Sequence, residues 1–471
     1  MGRGALPWAF TVLVSWGAFA IACALTAQVI DGTILTYHLG GWAPPLGIEY
    51  RVDALSAVVL LIVSGAASIV APYSRATVLK EIEPHNHGLF YTLFLLCMTG
   101  LLGVVITGDA FNVFVFLEIA SLSTYVLVAL GAKNDRRALN AAYTYLVMGT
   151  IGATFFVIGI GLAYMVTGTL NMADLASRLP DIAENRTVAV AYAFIAVGMG
   201  LKAAIFPLHL WLPNAYTYAP SAISAFLAGT STKVAIYVLL RFSYSIFGLE
   251  FAFQKLVSSI FLMPLAILAM FAASIVAIFQ EDIKRMLAYS SVAQVGYMVL
   301  GLSLGTSAGV MATVLHLGNH ALMKIALFLA LGCVMYRLGA TTISQFAGLG
   351  RTMPLTMAAF VLGGLSLIGV PLTVGFVSKW YLIQAALEQG YWQLAILVVM
   401  SSLLAVIYVW RVVEAAYLSD APDNPKGDRA PFSMLIPLWV LIAVNVYFGV
   451  NAELTTTLAA QAATHLVGIA P

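Results

Sequence analysis

The stretch SAGVMATVLHLGNHALMKIALFLALGCVMYR, residues 307–337, decides the fold. It holds no acidic residue and exceeds the roughly 20 apolar residues that cross a bilayer as a helix. Inside lipid every backbone N–H and C=O must be satisfied within its own segment, so such a run is helical. It nevertheless carries His316, His320 and Lys324 at i, i+4 and i+8, a stripe along one helix face. That stripe reads as a proton wire, because histidine titrates close to physiological pH. Interhelical hydrogen bonding that fixes packing is the alternative. A metal site built on H-x3-H needs further ligands, and none is evident.

The rest of the chain repeats the apolar pattern. Of 471 residues, 62% are hydrophobic and 9% charged, where a soluble domain has about 25% charged residues. A water-soluble enzyme is excluded. Thirteen spans are predicted, at 7–29, 54–73, 89–107, 110–131, 140–166, 187–206, 221–247, 259–280, 285–304, 307–337, 354–386, 392–415 and 433–450. The alternating segments of an outer-membrane barrel are missing, and no polar stretch is long enough for a soluble domain. The first run is too long for a signal-peptide core and reads as a retained helix. A net charge of +2 steers no nucleic acid. Cys23, Cys97 and Cys333 lie in apolar runs without a CxxC, which argues against a disulfide framework, a zinc site or a Cys-ligated iron–sulfur cluster. Without GxGxxG or P-loop context, no cofactor and no metal are expected, and the work must be driven by an ion gradient or by partner subunits.

Orientation follows the basic residues. With the N-terminus inside, thirteen of them fall on the cytoplasmic side, among them Arg3, Arg75, Arg137, Lys284, Arg285 and Lys426, and five fall opposite. An odd number of spans then places the C-terminus outside. Asp53 and Asp109 stand at helix starts, where a carboxylate caps free N–H groups. Glu414, three residues after Arg411, reads as its surface partner.

Lys202, Lys233, Lys324, Lys379 and Glu118 lie within spans. A charge at the bilayer centre costs roughly 2.5–3.5 kcal/mol on insertion scales. The five together would cost on the order of 10 kcal/mol unpaired, as much as a protein's net stability. They must face one another or a hydrated cavity, which marks an ion or proton path. Snorkelling accounts for Lys202 near a helix end, but not for the mid-span residues. Lysine suits proton transfer, because desolvation disfavours the ammonium and a nearby carboxylate restores it. Helix breaks point to the same places. Lys202 precedes FPLHLWLPNAYTYAP (206–220), and Lys379 follows Gly369-Val370-Pro371 and Gly375. Discontinuous helices in two halves are the pointer to a transporter site. These two lysines lie five spans apart, so their helices run in opposite directions, as an inverted repeat requires. His209, beside the first break, is explained by a helix-terminus hydrogen bond as well as by proton relay.

Six stretches, in order, carry a family resemblance: TGDAFNVFVFLEI (107–119), GLKAAIFPLHLWLPNAY (200–216), AFLAGTSTKVAIYVLLRF (225–242), EDIKRMLAYSSVAQVGY (281–297), HLGNHALMKIALF (316–328) and GVPLTVGFVSKW (369–380). The chain resembles the proton-channel subunits shared by respiratory complex I, membrane hydrogenases and Mrp-type multisubunit cation/proton antiporters. By position, Glu118 resembles the family's channel glutamate and Lys202 its paired lysine. Lys233 resembles the central lysine, His316 and His320 the histidines of the later helix, and Lys379 the terminal lysine. The whole axis is present, which argues against a purely structural paralogue. GGWAPPLGIEYRVDALSA (40–57), LPNAY (212–216) and Gln294 bring the resemblance closest to the D-type subunit of the Mrp antiporter. The usual family member has fourteen spans, and the resemblance implies that the first is missing here.

The expected fold is therefore an all-α polytopic membrane protein of about thirteen helices, with two inverted five-helix repeats and discontinuous helices. The chain is divided into N-terminal helices (1–107), a first half-channel (108–280), a second half-channel (281–418) and a C-terminal helix and tail (419–471). The resemblance implies a proton-translocating subunit of a monovalent cation/proton antiporter, with sodium as the exchanged ion, in a bacterial or archaeal cell membrane. Its implied partners are other membrane subunits, homologous channel chains among them. The rivals are the proton-pumping arm of a redox complex of the NADH:quinone or hydrogenase type, and an ion-energised uptake module. Glu118, Lys202, Lys233, His316, His320, Lys324 and Lys379 are the expected proton-transfer residues.

Overall fold

A computed structural model describes residues 4–256, 258–339, 341–420 and 429–468. Arg3 and Lys426, used above for orientation, lie outside them. In chain order the elements are α1 (Ala5–Val29), β1 (Leu35–His38), β2 (Glu49–Val52), α2 (Ala54–Glu81), α3 (His87–Ile106), α4 (Ala110–Ala129), α5 (Arg137–Thr167), α6 (Met172–Arg178), α7 (Arg186–Ala203), α8 (Trp211–Tyr218), α9 (Ser221–Gly229) and α10 (Ser231–Leu240). Two π-helical turns follow α10. Then come α11 (Ser259–Ile278), α12 (Ile283–Ser303), α13 (Ser307–Leu338), α14 (Leu349–Thr352), α15 (Pro354–Ile368), α16 (Val374–Glu388), α17 (Trp392–Leu418), α18 (Phe432–Val450) and α19 (Glu453–Val467).

Twelve segments among the described residues are long and apolar enough to cross a membrane. They match twelve of the thirteen expected spans. The remaining one, 354–386, is two helices, α15 and α16, parted by a turn at residues 369–373. The chain is a multi-pass membrane protein. α9, α10, α12 and α13 form its buried centre, whereas α1, α11 and α17 leave many large apolar side chains on the outside.

The inverted repeat is written into two helix starts. The Asp109 carboxylate accepts the Asn112 N–H at 2.7 Å and caps α4, and the Asp282 carboxylate accepts the Arg285 N–H at 2.9 Å and caps α12. Each aspartate also makes an isolated antiparallel bridge, Asp109 to Asn171 and Asp282 to Thr342. Each bridge receives the chain just after a helix of more than thirty residues, α5 or α13, closed by a left-handed glycine, Gly168 or Gly339. Five crossings separate the two starts, so they lie at opposite ends of the bundle.

Two local expectations are corrected, and one link acquires a structure. The polar link after α1 contains an antiparallel hairpin, with Leu35 opposite Val52. Its Glu49 accepts from the Asn171 side chain at 2.8 Å and thereby ties that end of the bundle together. The segment after α18, read as a tail, forms α19. Leu458, Ala459, Ala462, Ala463 and Leu466 give it one buried face, packed on α2 and α13. Finally, α2 continues eight residues past the predicted end at 73, because Ser74, Thr77, Val78 and Glu81 form a buried face at helical spacing.

Candidate functional site

The seven expected residues assemble as two groups. In the first, Lys202 Nζ lies 3.4 Å from a Glu118 carboxylate oxygen and donates to the Ser121 hydroxyl at 2.6 Å. α7 ends directly after Lys202. Ala204 adopts a left-handed φ of 58°, and the Ile205 N–H returns to the Gly200 carbonyl at 2.9 Å. α5 and α7 approach closely through Gly152 and Gly198. A Cβ on Gly198 would stand 2.6 Å from the Gly152 carbonyl oxygen, so a side chain there would force α7, which carries Lys202, off α5.

The second group gathers around α13. Lys233 follows the break between α9 and α10 at Thr230 and donates to the Ala228 carbonyl. Lys379 reaches back across its own break and donates to the Leu367 and Ile368 carbonyls at 3.0 and 2.8 Å. The reason is common to both. A helix end leaves carbonyls without intrahelical partners, and an ammonium on the following segment takes them. Lys324 donates to the Leu287 carbonyl at 2.8 Å and to the Ser290 hydroxyl.

His316 is held on both sides. Nδ1 meets the Ser378 hydroxyl at 2.8 Å and Nε2 the Gln294 side-chain oxygen at 2.9 Å. The His320 ring lies parallel to it, with centroids 5.9 Å apart. His320 is fully buried and neither ring nitrogen has a hydrogen-bond partner. Lys233, Lys324 and Lys379 are all near enough for their charges to act on it. The Lys379 ammonium also stands 4.9 Å above the Tyr297 ring, a cation–π arrangement.

The sequence reading anticipated the lysines at breaks and the histidine stripe, but not the ligands that hold them. Of the four lysines only Lys202 faces a carboxylate; the other three are held by carbonyls and hydroxyls. Among the described residues no hydrogen bond joins the two groups. Tyr125 and Tyr145 meet edge to face at 4.8 Å, and Tyr145 stacks on Trp211 at 4.1 Å. His209 belongs to neither group. Its ring stacks on Phe206 and its Nδ1 is unbonded, so the expected helix-terminus hydrogen bond is not formed by that atom.

Of the ion pairs that the sequence reading missed or misassigned, two matter most for the bundle. Arg241 grips Asp53 with both terminal nitrogens, at 2.5 Å for Nη1. Burial pushes the Asp53 carboxyl up, but the Arg241 guanidinium and the Ser56 N–H outweigh it and hold the group down at about 2. Arg411 pairs with Glu281 at 2.7 Å instead of Glu414, because α17 turns it toward the link between α11 and α12. Among the described residues no three His, Cys, Asp or Glu side chains come together to hold a metal ion.

Residues 107–405 match the family described as NADH:quinone oxidoreductase/Mrp antiporter, TM. The chain is 44% identical over 449 residues to the N-type subunit of NADH-quinone oxidoreductase from Desulforudis audaxviator, covering 92% of this chain and 88% of that one. It is 30% identical over 440 residues to the D-type subunit of the Na(+)/H(+) antiporter from Alkalihalophilus pseudofirmus, covering 93% and 87%. A chain in the structure of the Mrp complex from Dietzia sp. DQ12-45-1b superposes with a TM-score of 0.91 at 28% identity, covering 99% of this chain and 93% of that one. With the inverted repeat, the broken helices and these matches in hand, the chain belongs to the NADH:quinone oxidoreductase/Mrp antiporter transmembrane family.

Proposed function

We propose that the chain translocates protons as one subunit of a multisubunit monovalent cation/proton antiporter, with sodium as the exchanged ion. The observation that carries this reading is the Glu118–Lys202 pair, 3.4 Å apart beside a helix break. A carboxylate that approaches and leaves a buried ammonium changes the proton affinity of both. Glu118 and Lys202 form one terminus of the axis; Lys233, Lys324, His316, His320 and Lys379 form the rest. In this scheme residues 108–280 make the first half-channel and 281–418 the second. The N-terminus faces the cytoplasm and the C-terminus the outside of a bacterial or archaeal cell membrane. Other membrane subunits complete the complex, and no cofactor is needed within this chain.

Family membership and the similarity to a Na(+)/H(+) antiporter chain support a proton-translocating, antiporter-like subunit. One observation favours a second reading. The 44% identity to a protein named as part of an NADH-quinone oxidoreductase exceeds the 30% identity to that antiporter chain. In the second reading the same axis is driven by electron transfer in partner subunits. The deciding experiment is purification of the native complex in mild detergent with identification of its subunits. Small hydrophobic subunits alone, together with sodium-dependent collapse of a pH gradient in vesicles, support the antiporter. Flavin or iron–sulfur subunits overturn it in favour of the redox complex.

A further inference from the structure

Glu81 and Lys284 are buried charges that the axis does not use. Glu81, the last residue of α2, is 3% exposed. One carboxylate oxygen accepts the Ser221 N–H at 2.7 Å, at the start of the broken helix that leads to Lys233. The other oxygen is buried with no hydrogen-bond partner. Lys284, in the first turn of α12, is 6% exposed and donates to the Ala219 carbonyl at 2.8 Å. Carboxylate and ammonium thus converge on one turn, residues 219–221, from two helices, without an ion-pair contact between them, and each lies within range of the other's charge. Lys80 and Asp282 are the other charged groups whose fields reach this pair.

Capping α9 does not by itself account for this arrangement. A neutral Asn or Ser caps a helix as well as a carboxylate does, and a buried carboxylate with an empty oxygen is costly. The empty oxygen is a place for a proton. From Lys284, α12 carries polar groups inward along one face. The Leu287 carbonyl and Ser290 hold Lys324, Gln294 holds His316, and Tyr297 lies beneath Lys379. Steps of three and four residues keep them in register. This stripe joins the end of the bundle to the second group of the site.

We propose that Glu81 and Lys284 are a second carboxylate–lysine pair, passing protons between Lys324 and the end of the bundle that carries Pro84 and Asp282. The proposal rests on the proton-translocation reading above. One proton enters as an O–H bond forms on the free oxygen of Glu81. One leaves as an N–H bond of the Lys284 ammonium breaks toward Lys324. When the two side chains close on each other across the turn at 219–221, transfer of the Glu81 proton to the Lys284 amine restores the starting pair.

The test is Glu81→Gln in the full complex, assayed for proton movement in inverted membrane vesicles. Gln keeps an oxygen for the Ser221 N–H and loses the titratable site. The expected result is normal assembly with transport reduced about a hundredfold or more, as for loss of a proton-transfer group. Wild-type transport in an assembled Glu81→Gln complex overturns the proposal and leaves Glu81 a cap. Should that variant fail to assemble, Lys284→Gln is read in the same way. Absence of proton movement in wild-type vesicles overturns the proton reading as well, whereas an active wild type with active variants refutes this pair alone.

Discussion

Lys379 donates to the carbonyl of Ile368, the last residue of the helix before its own, across the turn that splits their span. The turn depends on Gly369, whose φ is +94°. A Cβ there would lie 3.0 Å from Lys379 Cδ, so glycine provides both the backbone angle and the room for the lysine.

Gly369→Ala is therefore expected to destabilise the assembled protein by about 1–3 kcal/mol, the usual cost of a strained backbone position, and to lower transport. Gly161→Ala on α5 is the control. A Cβ there meets nothing within 4 Å, so alanine should leave melting temperature and transport unchanged. Thermal unfolding in detergent, paired with vesicle transport, checks both.

His316 and His320 separate stability from function. His316→Ala strands the Gln294 side-chain oxygen, at about 1–3 kcal/mol for a buried group left unpaired, whereas the Ser378 hydroxyl keeps the Gly375 carbonyl. His320 has nothing to strand. His320→Leu is expected to keep or raise the melting temperature while abolishing proton movement, the trade-off of a residue kept for function. A fall in stability with transport intact would contradict the assignment of His320 to the axis.

The Asp53–Arg241 pair is expected to be structural. Its carboxyl lies at about 2 in the fold against an ordinary 3.8, so its stabilising effect is complete above the ordinary value and is lost only as pH falls through about 2. Across pH 5–9 it contributes no titration, and any pH dependence of transport in that range comes from other groups. Asp53→Asn leaves Arg241 buried without its partner, at about 3–5 kcal/mol. Asp53→Asn combined with Arg241→Met should recover much of the assembled yield, measured by size-exclusion chromatography.

The sequence made the buried charges readable because a lysine or glutamate in the middle of twenty apolar residues cannot snorkel to the headgroups, as Lys233 and Lys324 illustrate. Glu81 escapes notice and Lys284 counts only as a flanking cytoplasmic charge, because both stand at span ends among Lys80, Glu83, Asp282 and Arg285, where buried and solvated charges look alike. Ser290, Gln294 and Ser378 carry no charge, and their role emerges only when α12, α13 and α16 meet. The break after Lys202 was marked by Pro207, but the turn itself falls on Ala204, a non-glycine residue in a left-handed conformation. α19 and the hairpin lie outside the apolar spans, and α19 shows its apolar face only against α2 and α13.

The measurement that tests the central claim most directly is proton movement by the complex carrying Glu118→Ala or Lys202→Ala, in inverted vesicles with assembly verified. The expected result is a loss of transport of about a hundredfold or more, the scale of a positioned proton-transfer group, with the subunit set intact. Wild-type rates in either assembled variant would contradict the claim that protons pass through this pair.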